Sequence, residues 1–459
     1  MSLARVTAWT LLAAAGFALV PSAARAQDVP ALPKKPDTEL VRQHRDQPRG
    51  GIPAGDLKAA RESFTRFATY FADVVKHPAV WKASQDFKFD LPKGEKVPTI
   101  EGPEGILAEL DRFLLVPVIG YSKQNLEPAD YIRELGAALD RELRKLIETH
   151  SERIVRVNAC RVLAHVARSG APAHVATATA LLAAPATPTE VKNYLFQVAE
   201  AALIAHDPAD LKTRKHSVDL KTLAALVKVL EDCVTNPTLL LAGLPAKLDE
   251  APADQLAVVA FVRLKAVRAL GQVKFATVAD GKNPLYPAYT LARVAMSDPA
   301  LVPAPGPAEC AEAVIGICNM QPPAKGYNAD VVVEAVASGL YTFAAPRAAN
   351  FTDRSIPWRT YSLRLGEAMY KWRMLFDQTY DISKPTVFDP QSVPAVVEAL
   401  YKEAVPKVLA RIEKNDPAVN VDINVLREQL KNIRDNPKRN TTLFANVPGT
   451  SVAFAPPKK

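Results

Sequence analysis

The residues of this chain with chemistry to offer are seven histidines, four cysteines and one segment that mixes aromatic and basic side chains. The histidines are His44, His77, His150, His165, His174, His206 and His216. His206 and His216 stand at the ends of the polar stretch HDPADLKTRKH and are the pair that could in principle hold a metal. A metal centre needs three or four ligands, and no second pair at ligand spacing joins them. These two read as solvated loop residues, and His165 as a packing residue. Cys310 and Cys318 share the run AECAEAVIGIC, which reads as one helix. At about 1.5 Å rise per residue they stand about 12 Å apart, too far to bridge. Cys160 reads as a core position. Buried free thiols are the expected state of these two, Cys160 and Cys233, with a disulfide framework as the alternative. HExxH, GxSxG, CxxC, CxxCH and a Gly-rich phosphate loop are all missing from the sequence. No catalytic residue, metal or cofactor is therefore assigned.

The mixed segment is FTDRSIPWRTYSLRLGEAMYKWRMLFDQTY, residues 351–380. Arg354, Trp358, Arg359, Tyr361, Arg364, Tyr370, Trp372 and Arg373 are its candidate binding residues. Aromatic side chains with Arg make up the usual energetic centre of a binding surface. A guanidinium over a ring gains roughly 0.5–2 kcal/mol. The structural alternative is a capping helix, with Leu363, Tyr370 and Met374 turned inward and the Arg and Lys residues outward.

The elements that would position these residues are helices. The chain has 459 residues, of which 48% are hydrophobic and 7% aromatic. Ala, Leu and Val dominate the apolar set, Gly is scarce at 19, and Pro is abundant at 38. Ala and Leu are strong helix formers, and no extended apolar–polar alternation occurs. The composition predicts an all-α protein with Pro at helix ends. Leu57, Ala60, Phe64, Phe67, Phe71 and Val74 recur at steps of three and four behind Asp56, a plausible N-cap, and stop at His77-Pro78. Residues 79–105 read as a loop-rich insertion. A second stripe follows Pro128: Ile132, Leu135, Leu139, Leu143 and Leu146. Prolines at 172, 185, 188, 208, 237, 252, 284 and 299 then punctuate helices of roughly 10–20 residues.

Two of these helices are alike. IVRVNACRVLAHV from Ile154 and FVRLKAVRALGQV from Phe261 both fit Val-Arg-x-x-Ala-x-x-apolar-Leu-small-x-Val. A shorter echo, VKNYLFQVA, begins at Val191. Arg156, Lys192 and Arg263 mark the shared register. The second gap is about twice the first, which puts a degraded unit near Val227-Lys228, in ALVKVLEDCV. This pattern resembles the second helix of HEAT-type repeats, of the kind found in exported bacterial proteins. The resemblance covers residues 150–345 at most. It implies an irregular α-solenoid of helical hairpins, each burying the apolar face of its neighbour. It also implies that the Arg bonds to carbonyls or acids of the adjoining unit.

The N-terminus reads as an export signal. Arg5 precedes the apolar run VTAWTLLAAAGFALV, Pro21 ends it, and Ala24-Arg25-Ala26 gives a small-x-small cleavage site. The run is short for a membrane span, and no later stretch is apolar enough to be one. The chain thus divides into a signal peptide (1–26), a Pro-rich disordered linker (27–55) and an N-terminal helical region (56–149). HEAT-like repeats (150–345), a C-terminal helical or capping region (346–435) and a disordered tail (436–459) follow. Removing Arg5 and Arg25 leaves a charge of about +6 from the formal +8, too mild and diffuse to point to nucleic acid. The expected function is a non-catalytic scaffold in the periplasm or outside the cell, joined to an unknown envelope protein. The alternative is an all-α envelope protein that binds or cleaves glycans.

Overall fold

The first predicted stripe winds into a helix whose Ala60, Phe64, Phe67, Phe71 and Val74 are buried. The computed structural model describes residues 33–46, 52–53, 55–78, 103–115, 129–205, 218–280, 283–323, 326–375, 395–414 and 420–452. The signal segment, residues 79–102 of the expected 79–105 insertion, His206 and His216 lie outside the described residues, and the last three residues of that insertion are helical rather than loop.

The described chain is all-α. In order it runs α1 Glu39–Arg45, α2 Leu57–Lys76, α3 Pro103–Leu110 with a π turn to Leu115, and α4 Ala129–Thr149. Next come α5 Arg153–Ala167, α6 Ala173–Ala183, α7 Thr189–Ala205, α8 Leu220–Thr235 and α9 Ala253–Leu270. A small antiparallel ribbon pairs β1 (Val278–Asp280) with β2 (Asn283–Leu285). Then follow α10 Pro287–Ala295, α11 Pro307–Asn319, α12 Ala329–Ala349, α13 Trp358–Leu375 and α14 Ala395–Ala404. After a π turn come α15 Ala410–Lys414 and α16 Asn424–Arg434.

Packing sorts alternate helices into two layers. Helices α4, α6, α8, α10, α12 and α14 stack on one another in one layer, and α5, α7, α9, α11, α13 and α15 in the other. Hairpins α4/α5, α6/α7, α8/α9 and α10/α11 join the layers. A lone hairpin cannot bury its apolar face, so stacking makes one continuous core. The alternation continues without a break at 150 or 345.

Small residues set the spacing. A Cβ at Gly316 of α11 would fall 2.7 Å from Cα of Gly271, just past α9, and 2.7 Å from Leu291 of α10. Only glycine lets these backbones meet so closely.

Polar ties join neighbouring hairpins. Arg263, 2% exposed, donates from Nε to Glu309 Oε1 at 2.7 Å and from Nη2 to the Pro303 carbonyl at 2.7 Å. Lys192, at the same register in α7, donates to the Leu239 carbonyl at 2.6 Å. Both bond forward to the next hairpin, as the sequence pattern implies. Arg156 departs from it, because its buried Nε makes no hydrogen bond. In the other layer, Asp140 of α4 is 3.0 Å from His174 Nδ1 of α6 and accepts from Thr177 Oγ1 at 2.6 Å.

Three expectations are corrected. The linker 27–55 contains α1, whose Val41 and His44 are buried against α2, with the His44 ring 6.0 Å from Phe64. Packing on a neighbour supplies what that short segment lacks in apolar content. The tail from 436 is docked as far as Val452. Leu443, Phe444 and Val452 are buried, and its backbone pairs with Gly326 and Asn328. Lastly, ALVKVLEDCV forms α8, which belongs to the layer of first helices, so no unit is missing between α7 and α9. The long step from Lys192 to Arg263 comes from lengthened connections. All four cysteines are free and buried.

Candidate functional site

The aromatic-basic segment forms α13, and burial splits it. Trp358, Tyr361 and Trp372 point into the core with Leu365 and Met369. Trp358 packs on Phe343 at 5.2 Å between ring centroids. Trp358 and Trp372 are thus withdrawn from any binding surface, because α13 must cover α11 and α12, and Tyr361 keeps only an edge exposed. The inward stripe also differs from the structural alternative, since Leu363 and Tyr370 are 48% and 51% exposed. Met374 falls outside the described side chains. Arg354 and Arg359 are exposed, while Arg373 pairs with Glu398 at 2.5 Å and lies 5.3 Å from the Tyr401 ring centre. The eight residues do not form one site.

Two of them join a different face. Arg364 makes a bidentate pair with the buried Glu312 of α11, at 2.6 and 2.8 Å, and sits 5.6 Å over the Tyr361 ring. Burial, helped by Glu312, pushes the Tyr361 hydroxyl up to about 12. Glu200 of α7 bears electrostatically on Arg364 and Arg268 of α9 on Tyr361, across α11, on which both α9 and α13 pack.

That neighbouring face is built by α5, α7 and α9, which run side by side in one layer and in the same direction. Each turns a stripe of residues away from the other layer, at the three- and four-residue steps that keep one side of a helix. Near their N-termini a groove of about 770 Å³ is lined by Ile154, Val157, Tyr194, Val258 and Phe261, among others. Val258 and Phe261 are 39% and 55% exposed, unusual for large apolar side chains. Glu190, on the rim, pairs with Arg153 at 3.0 Å.

Toward the C-termini the stripes of α5 and α9 turn basic. A second groove, of about 490 Å³, is lined by Arg161, His165, Arg168, Lys265 and Arg268, with Gln197 and Glu200 from α7. Glu200 pairs with Arg268 at 2.8 Å, and His165 lies 2.6 Å from Asp111. Lys265 reaches over Phe261 at 5.4 Å, linking the two halves. Arg168 is exposed, and among the described residues neither it nor Lys265 has a carboxylate partner.

This arrangement suits binding. Its apolar end can bury a side chain, and its basic end can meet an anionic group. Glu200, Glu312 and Asp111 are each engaged by a neighbouring basic side chain. Among the described residues no cluster of three or more His, Cys, Asp or Glu could hold a metal ion, and no helix is long and apolar enough to cross a membrane.

The face was readable in the two similar helices without being singled out. Their register aligns Ile154 with Phe261 at the apolar end and Arg161 with Arg268 at the basic end. The shorter echo places Gln197 level with those arginines. Comparison with known protein families, curated proteins and solved structures found no match for this chain.

Proposed function

We propose that this chain is an exported, non-catalytic HEAT-like scaffold that binds another protein in the cell envelope. One observation carries the reading. The Val-Arg-x-x-Ala pattern falls on α5 and α9, both second helices of stacked hairpins, and Arg263 and Lys192 of that register reach forward to the next hairpin. Stacked helical repeats of this kind offer broad surfaces suited to macromolecular partners. The α5–α7–α9 face is such a surface. Export rests on the Val6–Val20 run and the Ala24-Arg25-Ala26 site.

The test uses the full chain expressed from its own start codon. Intact mass after fractionation should show cleavage after Ala26 and a product outside the cytoplasm; an uncleaved cytoplasmic chain would remove the export half. Photo-reactive residues placed one at a time at Ala225, Phe261, Leu363 and Tyr370 should trap a discrete protein adduct from at least one position. If none gives an adduct in intact cells, the scaffold reading fails.

A further inference from the structure

We infer that the α5–α7–α9 face receives a polypeptide segment that is apolar at one end and acidic at the other, laid along the helix axes. The inference rests on the scaffold reading and names the chemistry of the partner.

The first argument is the gradient. Two of the three helices, α5 and α9, change character at the same level, with Ile154, Val258 and Phe261 above and Arg161, Arg168, Lys265 and Arg268 below, while α7 between them carries Tyr194 above and Gln197 and Glu200 below. A surface that merely needed solubility would scatter its charges. Here the large apolar residues sit together at one end, where Arg153 is paired with Glu190, and the other cations gather at the opposite end. The distance from Ile154 to Arg168 along α5 is about 21 Å, which matches about six extended residues or about fourteen helical ones.

The second argument is charge. Among the described residues, Arg161, Arg168, Lys265, Arg268 and Arg364 are accompanied at the basic end by the carboxylates of Asp111, Glu200 and Glu312. Arg268 and Arg364 already hold carboxylates from neighbouring helices, while Arg168 and Lys265 hold none among the described residues. Those two would take the incoming acids. Positive potential in a groove steers an acidic segment and fixes its direction more than it adds affinity.

The apolar end favours a polypeptide over an anionic polymer. Phe261 and Val258 are exposed beside Ile154, Val157 and Tyr194, so an entering Leu or Phe would remove apolar surface on both sides from water. A phosphate or uronate chain needs the cations alone and gains nothing there. A glycan stacking site would call for several ring faces, and this groove offers Tyr194 and Phe261 among aliphatic side chains.

The experiment is a selection of random peptides displayed on phage, about twelve residues long, against the full mature-length chain. The recovered peptides should pair an apolar cluster with Asp or Glu a few residues away. Measured as synthetic peptides, they should bind about tenfold or more weakly to Arg168→Glu/Lys265→Glu, and comparably more weakly to Phe261→Ser. Binding should weaken as salt rises. All three positions are at least partly exposed, and circular dichroism should show unchanged helix content. Lys431→Glu, exposed on α16 away from the groove, should leave binding intact. Recovered peptides without acidic bias, or peptides indifferent to both groove variants, would overturn the inference. So would a screen that recovers no peptide. Dextran sulfate binding that needs Arg168 and Lys265 but ignores Phe261→Ser, with no peptide showing both dependences, would assign the groove to polyanions instead. In each of these outcomes the cross-linking result still decides the scaffold reading separately.

Discussion

At the scale of single residues, the stack depends on a few buried charges. Arg263 and Glu309 are almost fully buried and bonded to each other, and Glu309 also accepts from the Gly306 amide at 2.8 Å at the start of α11. Removing one partner of such a pair leaves a charge without compensation, at a cost of about 3–5 kcal/mol. Arg263→Met should therefore lower the urea midpoint sharply. Adding Glu309→Gln should recover most of the loss, because the amide oxygen still caps Gly306. Glu231 of α8 poses the opposite case. Burial pushes its carboxyl up to about 7, and the Thr290 hydroxyl, donating at 3.0 Å, offsets this only in part. The folded chain then holds this proton more tightly than the unfolded chain does. Its contribution is most favourable below about pH 4.5 and is lost as pH rises through about 7. Glu231→Gln should leave stability unchanged near pH 4 and raise it near pH 8 by up to about 3 kcal/mol, at about 1.4 kcal/mol per pH unit. Urea titrations of both chains at the two pH values would check this; equal gains at both would rule it out.

At the scale of elements, close contact between helices makes two glycines of the same residue type behave differently. Gly316→Leu forces a side chain into the backbone past α9 and should cost at least about 1–3 kcal/mol. Gly366, inside α13, has nothing within 4 Å of an added Cβ. Gly366→Ala should be stabilising by about 0.5–1 kcal/mol through the lost freedom of the unfolded chain. Thermal midpoints of the two variants should move in opposite directions. The same contacts explain which elements could be read from sequence. The stripes of α2 and α4 were legible because each helix buries a single side, so apolar residues repeat at three and four. Helix α11 carries no such stripe, since Glu309 to Cys318 are all buried between its neighbours. The aromatic segment of α13 misled for a related reason. Trp358 and Trp372 look like surface anchors in isolation, and only the presence of Phe343 and the rest of α12 turns them inward. Leu443 and Phe444 in the tail, like Val41 and His44 in α1, also take their order from surfaces far away in sequence. The α5–α7–α9 face was half legible: its residues repeat in register, but their convergence depends on α7 lying between α5 and α9.

At the scale of the whole molecule, the two-layer stack ties each helix mainly to those one and two places along the chain and to none more than four places away among the principal contacts. Helix α2 packs on α1, α4 and α5, whereas α12 packs on α10, α11, α14 and α16. The docked tail folds back over the stretch from β2 to the start of α12, since Phe444 stacks near Tyr286 and Tyr327 and the Ser451 carbonyl accepts from the Tyr289 hydroxyl, so it ties the second half of the chain together. Stability in such a stack is close to a sum of hairpin and interface contributions, so damage at one end should not spread far. Leu135 is fully buried in α4. Leu135→Ala should cost about 2–5 kcal/mol locally. Native-state hydrogen exchange should then show faster opening in α2, α4 and α5, with protection in α11 and α12 unchanged. Leu340→Ala, equally buried in α12, should produce the mirror image, with α4 unaffected. Parallel loss of protection along the whole chain in either variant would mean a single cooperative unit and would contradict the additive stack. The α5–α7–α9 face lies toward the first of these two ends. Its groove should therefore loosen with Leu135→Ala and hold its peptide at unchanged affinity with Leu340→Ala.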